Sequence, residues 1–203
     1  MSIFTKSRWV RSAVFVAATL SASSVSAACV DLSKGNRFTL TRNTPHFQVE
    51  NVISADGSVS EDRVMEKGGA TETVQTAYWN GIMAVDRKSA SSRIQMKVPA
   101  KAKSLDLSVK GKEYTLPMTL LINGKEFGRG TYIVRPIKKT KVKIGKCRYP
   151  VMVVRTTMRL ENRADINEEA LLSLESGMLI GNVAMDPDWN PKSGVFFDTV
   201  QAR

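Results

Sequence analysis

Lys138-Lys139-Thr140-Lys141-Val142-Lys143-Ile144-Gly145-Lys146-Cys147-Arg148-Tyr149-Pro150-Val151-Met152-Val153-Val154 runs up to a glycine turn and back again. Side chains alternate along a strand, so residues two apart share a face. Thr140, Val142 and Ile144 share one face; Lys139, Lys141 and Lys143 share the other. Gly145-Lys146 suits a two-residue turn with glycine first, the type II′ pattern. That turn sets Ile144 beside Cys147, Val142 beside Tyr149 and Thr140 beside Val151, so the apolar faces agree across the hairpin. The other face pairs Lys143 with Arg148. Like charges directly opposite destabilise a sheet mildly, so this face belongs in water or against an anion.

The strand after Cys147 does not keep one apolar face. Cys147, Tyr149, Val151 and Val153 share a face that continues as Arg155, Thr157 and Arg159, while Met158 and Leu160 take the other. A β-bulge near Val153-Val154 would explain the switch. So would a long strand that leaves one packing environment for another.

Short strand signals with Gly, Asn and Asp turns recur through the chain. They are Arg37–Thr41, His46–Ile53, Val59–Glu66, Ala70–Trp79, Gly81–Arg87 and Ser91–Val98. Met118, Leu120 and Ile122 lead into Asn123-Gly124, the favoured type I′ turn, and Gly128 and Gly130 point to a bulge or kink in the returning strand. Ser173–Ala184 reads as a hairpin around Glu175-Ser176-Gly177, and Val195–Asp198 as a terminal strand. Pro99–Tyr114, with Lys101, Lys103, Lys110 and Lys112 among small residues, reads as a mobile basic edge or loop. No long amphipathic helix and no repeat of solenoid length is present. The expected fold is all-β: a curved antiparallel sheet or partly open β-barrel with hairpin connections.

The first 27 residues read as a secretory signal peptide, and 28–203 as one β-rich domain. Lys6, Arg8 and Arg11 precede the apolar run Ala13–Leu20, and Val25-Ser26-Ala27 fits the small-x-small cleavage rule, with Ser26-Ala27-Ala28 competing. The apolar run is far below the ~20 residues needed to cross a membrane. A lipoprotein signal at Cys29 would want a bulky aliphatic residue where Ser26 stands. The mature chain is therefore expected to be periplasmic and not transmembrane.

Export changes how two cysteines are read. A lone pair in an oxidising compartment forms a disulfide, so Cys29 and Cys147 are expected to be joined. The alternative is two buried thiols. The chain has 30 Lys and Arg against 19 Asp and Glu, net +11. Losing Lys6, Arg8 and Arg11 takes 3 from 11 and leaves +8. In the cytosol that balance would point to nucleic acid; export removes that partner. Envelope lipid, peptidoglycan and periplasmic proteins remain, with plain solubility as the bland alternative. The ridge that would meet an anionic partner is Lys139, Lys141, Lys143 and Arg148.

The run Val142–Val154, the segment Leu172–Ile180 and Leu40-Thr41-Arg42-Asn43-Thr44-Pro45 together resemble segments of small exported alphaproteobacterial proteins of unknown function. The resemblance implies a periplasmic compartment. It also implies a curved, partly open sheet similar to that of periplasmic lipoprotein carriers. It implies no activity, because function is argued from a site and not from a fold.

No cluster amounts to a catalytic site. A Ser-His-Asp triad would need His46, the one histidine, which opens a strand, and there is no G-x-S-x-G elbow. Glu168-Glu169 would point apart on a strand, and Asp186 and Asp188 sit in a loop without EF-hand spacing. Trp79 and Trp189 could stack on sugars, but fit core or turn anchors as well. No cofactor or metal motif is present. The sequence therefore reads as a non-catalytic envelope protein that binds an amphiphile, an anionic envelope component or a partner protein. The alternative is a cell-wall-directed hydrolase.

Overall fold

A computed structural model describes residues 28–203. The expected signal segment, 1–27, lies outside the described residues. In the described residues thirteen strands form one antiparallel sheet. They are β1 Arg37–Arg42, β2 Phe47–Ile53, β3 Val59–Lys67, β4 Ala70–Trp79, β5 Met83–Ser89, β6 Arg93–Lys97 and β7 Tyr114–Ile122. There follow β8 Lys125–Ile144, β9 Cys147–Leu160, β10 Ile166–Ser173, β11 Leu179–Met185, β12 Pro191–Val195 and β13 Thr199–Ala202. From β1 to β12 the sheet is a plain meander, each strand pairing with the next.

The last strand departs from the meander. β13 pairs with β1 at the far edge, Leu40 opposite Val200. Only Phe196, Phe197 and Asp198 separate β12 from β13. Three residues span on the order of 14 Å at most, so the sheet must curl until its two ends nearly meet. It stays open, with β12 and β13 as its two edges. This is the expected curved, partly open barrel. One detail is corrected: of the terminal strand expected at Val195–Asp198, Val195 ends β12 and Phe196–Asp198 form the corner leading to β13. There the Phe197 ring is buried against Phe47, centroids 6.0 Å apart.

The sheet buries two cores, and β9 serves both. Cys147, Tyr149, Val151 and Val153 belong to the first, with Phe38, Leu40, Val49, Ile144 and Ile180. Met152, Val154 and Leu160 belong to the second, with Met83, Leu116, Met118, Tyr132 and Val134. This explains the switch of apolar face: the strand leaves one core for another, and Val151 to Val154 are buried on both sides. A bulge is also present, but on the partner strand. Pro136 lies opposite Val154 and Lys138 opposite Val153, leaving Ile137 as the extra residue of β8.

Local turn chemistry follows the sequence. Gly145 has φ +57 while Lys146 stays out of the left-handed region, as a type II′ turn requires. Asn123 and Gly124 both have positive φ, 51 and 79, as type I′ requires. The β7–β8 register slips at Phe127, next to Gly128. Asp31, Asp56 and Asp106 each take both the backbone N–H and the hydroxyl of a serine two residues on. Those hydrogen bonds hold all three carboxyls below the ordinary value of 3.8.

Pro99–Tyr114 is more than a basic edge. It carries a 3-10 turn, Ala100–Ser104, and inserts Ala102 and Leu107 into the second core. Asn80 donates its side-chain amide to the Ala102 carbonyl, which ties the segment to the end of β4. Lys101, Lys103, Lys110 and Lys112 are on its exposed side.

Candidate functional site

The β8–β9 hairpin has the register that the alternation gives. Ile144 lies opposite Cys147, Val142 opposite Tyr149, Thr140 opposite Val151 and Lys143 opposite Arg148. Ile144, Cys147, Tyr149 and Val151 are buried. Lys139, Lys141, Lys143 and Arg148 lie together on the other face and are exposed. This is the face on which Met152 and Val154 meet the second core. The basic ridge stands where that face emerges from cover.

Two further properties of the ridge were not legible as alternation. The first is a free edge. β7 pairs with β8 only as far as Val134, and the Gly111 N–H donates to the Pro136 carbonyl at 2.7 Å. Beyond Pro136, no strand among the described residues pairs with that side of β8. In a two-residue hairpin the residues flanking the turn exchange both backbone bonds, and exchange then alternates. Thr140, Val142 and Ile144 therefore bond to β9, and the N–H and C=O of Lys139, Lys141 and Lys143 point away from it. Pro150, opposite Lys141, confirms the phase: its carbonyl turns to the other side and accepts from the Leu174 N–H at 3.1 Å.

The second property is unpaired charge. Eight arginines elsewhere are bound to carboxylates: Arg37 and Arg203 to Glu50, Arg63 to Glu61, Arg93 to Asp86, Arg129 to Glu126, Arg135 to Glu113, Arg155 to Glu169 and Arg159 to Asp165. Lys138, Lys139, Lys141, Lys143 and Arg148 make no ion pair among the described residues. The acids that pair with those arginines lie elsewhere on the sheet, away from the ridge.

Cys29 and Cys147 are joined by a disulfide across 118 positions. It ties the N-terminal segment to the inner face of the hairpin, where Leu32 is fully buried in the first core. Burial raises the Tyr149 phenol, and its contact with the Val30 backbone opposes that shift.

The residues weighed for catalysis do not converge. His46 is half-buried just before β2, and its carbonyl accepts from the Glu66 N–H. Glu168 and Glu169 face opposite ways: Glu169 pairs with Arg155, while Glu168 lines an interior cavity. Asp186 is occupied by its own loop, accepting from the backbone N–H of Asp188 and Asn190. Trp79 and Trp189 are half-buried, with Lys103 4.8 Å and Arg155 4.4 Å from their ring centroids. Among the described residues, no group of three or more His, Cys, Asp or Glu is placed to hold a metal ion. No helix there is long and apolar enough to cross a membrane.

Alternation along single strands does not by itself reveal the interior cavity, which depends on how the sheet curls. It holds ≈ 240 Å³ between β2–β5 on one side and β9–β12 on the other. Phe47, Val49, Leu179, Val195 and Phe197 supply its apolar lining. Its polar lining includes Glu61, 6% exposed, whose carboxylate takes two guanidinium hydrogen bonds from Arg63 at 2.7 and 3.1 Å. The Tyr78 hydroxyl donates to the same oxygen at 3.4 Å. Burial first, and then the Glu61 charge, push the Tyr78 phenol far above its ordinary value.

No family model matches the chain, and no curated protein does. A solved structure to which the fold is similar is the complex of Pseudomonas aeruginosa MucA and MucB, at TM-score 0.37 and 12% identity. The match covers 84% of this chain and 53% of that one, so this chain spans about half its length. Likeness at that distance carries no argument about function.

Proposed function

We propose that this is a non-catalytic binding protein of the cell envelope that engages an acidic, extended segment of a partner protein along the Lys139-Lys141-Lys143 edge of β8. The observation that carries the reading is the coincidence of two free valences on the same three residues. Among the described residues, their backbone N–H and C=O groups have no strand partner and their side chains no acid. Edge strands bearing lysine resist indiscriminate pairing, because an incoming strand would desolvate or repel the charges. An acidic strand would satisfy both sets of groups at once, by strand addition with charge complementarity. A second copy of this chain would set lysine against lysine. An anionic lipid or glycan would meet the charge but leave the backbone groups unpaired.

Export supports the envelope as the place. The N-terminal segment reads as a secretory signal, and the Cys29–Cys147 bond suits an oxidising compartment. The cavity favours a protein partner over a lipid cargo, since ≈ 240 Å³ is too small for a diacyl lipid.

The test is binding to an extended acidic peptide, such as deca-glutamate, by biolayer interferometry at low and at physiological salt. Lys139→Ser, Lys141→Ser and Lys143→Ser together are expected to weaken low-salt binding by about tenfold or more and to flatten its salt dependence. A triple variant that binds like the parent sinks the proposal.

A further inference from the structure

We infer that the interior cavity is a binding site for a small zwitterion, a molecule carrying a primary ammonium and an anionic oxygen group on a short apolar body. The site is separate from the lysine edge and rests on different residues.

The argument starts from which polar groups are spent. Directly opposed residues share a sheet face, which places Asn51, Glu61, Thr76 and Arg87 in one row across β2 to β5. Within that row Glu61 is committed to its ion pair with Arg63, two residues along β3. Arg87 is not: its side chain has no hydrogen bond and no carboxylate among the described residues. It lines the cavity as an available donor.

The facing wall carries the complementary vacancy. Ala170 lies opposite Asn182, and Asn182 opposite Val195. Glu168 is two residues from Ala170 on the same strand, so its carboxylate and the Asn182 amide share one face of β10–β11. Glu168 has no cation and no hydrogen-bond donor among the described residues. The Asn182 Oδ1 is buried and has no hydrogen-bond partner among the described residues. Buried polar groups are ordinarily bonded, and an acceptor left unsatisfied in the interior is unfavourable.

One wall thus offers an uncommitted guanidinium, the other an uncommitted carboxylate and an orphaned amide oxygen. The signs do not fit an anion alone, a cation alone or a hydrocarbon chain. They fit an ammonium donating to Glu168 and Asn182 while an anionic group accepts from Arg87. Phe47, Leu179, Val195 and Phe197 leave an apolar body between the two ends. The volume equals about eight waters at ≈ 30 Å³ each, room for a dipeptide-sized molecule and too little for a diacyl lipid. A free peptide end and a phosphoethanolamine head group share the required chemistry.

Isothermal titration calorimetry on the oxidised full mature chain separates these sources. Leucyl-leucine and glycerophosphoethanolamine are titrated in turn, each beside its N-acetylated form. Saturable binding is expected for at least one unmodified probe, with its acetylated form at least about tenfold weaker. Glu168→Gln and Arg87→Met are each expected to weaken that binding by a similar factor, without lowering thermal stability by more than a few degrees. Arg87→Lys keeps the charge and should retain more binding than Arg87→Met. Failure of both probes to bind overturns the inference. So does binding that survives Glu168→Gln and Arg87→Met unchanged, or that tolerates acetylation. Because Lys139, Lys141 and Lys143 play no part here, their serine variants should bind the probes as the parent does.

Discussion

Cys29→Ser with Cys147→Ala is expected to lower the melting temperature by about 10 °C or more relative to the oxidised chain. The bond closes a loop across 118 positions. In the chain-entropy model, cross-linking so long a loop removes about 5 kcal/mol of freedom from the unfolded ensemble, and measured values often fall below that limit. For a domain of this size 1 kcal/mol corresponds to about 2–4 °C. Local geometry adds to the effect, since the bond holds the segment that delivers Leu32 to the first core. Cys29 itself is exposed, so serine there buries no hydroxyl, and alanine at buried Cys147 leaves no free thiol. Thermal melts of oxidised parent and double variant decide it. A difference under about 3 °C would mean that the N-terminal segment contributes almost nothing to the folded state.

Gly81→Ala is expected to cost about 2–4 kcal/mol, and for a reason that concerns the curl of the sheet. Gly81 sits in the β4–β5 turn with φ +68. A Cβ there would land on the Gly177 carbonyl oxygen of the β10–β11 turn and come within 2.9 Å of Leu172 Cδ1. The two turns touch only because the sheet brings distant strands together. The cost combines a left-handed conformation, about 1 kcal/mol or more for a residue with a Cβ, and an overpacking strain of about 1–3 kcal/mol. Gly57 provides the control. It has φ +76, and a methyl added there would meet nothing within 4 Å, so Gly57→Ala should show the conformational part alone. Chemical denaturation of both variants separates the parts. Equal losses would mean that the two turns do not pack together.

What could be read from the sequence is tied to short-range rules. Gly145-Lys146 and Asn123-Gly124 fix their turns, and each turn fixes the register of its hairpin. The alternation before and after Gly145 then assigns every residue from Thr140 to Val151 to its face. The pairing of Cys29 with Cys147 follows from there being two cysteines in a chain whose N-terminus reads as a secretory signal. The second core was half-visible, as the change of face along β9, but alternation cannot say what covers the new face. Met152 and Val154 are covered by β4 to β8 residues and by Ala102 and Leu107, from a segment whose lysines suggest solvent.

The cavity was missed for a related reason. Ser60-Glu61-Asp62-Arg63 reads as a solvated strand, because charged residues are seldom buried unless paired. The signal was the register Val59-x-Glu61-x-Arg63-x-Met65, which places an acid and a base on the same face as two apolar residues. Reading it would have required knowing that β9–β12 curl over that face, and the curl is set by the pairing of β13 with β1. That pairing joins the last strand to the first, and no local pattern encodes it. Likewise, the lysine ridge is legible as a face, but its free edge depends on β7 beginning only at Tyr114, opposite Val134.

Residue-resolved amide hydrogen exchange, with and without deca-glutamate, tests the central claim most directly. Lys139, Lys141 and Lys143 have backbone N–H groups that face away from β9, so they should exchange quickly in the free protein. Thr140, Val142 and Ile144 should already be slow. Addition of the acidic peptide is predicted to slow the three lysine amides and leave the three alternating ones unchanged. Lysine amides that stay fast while the peptide is bound would contradict strand addition at this edge.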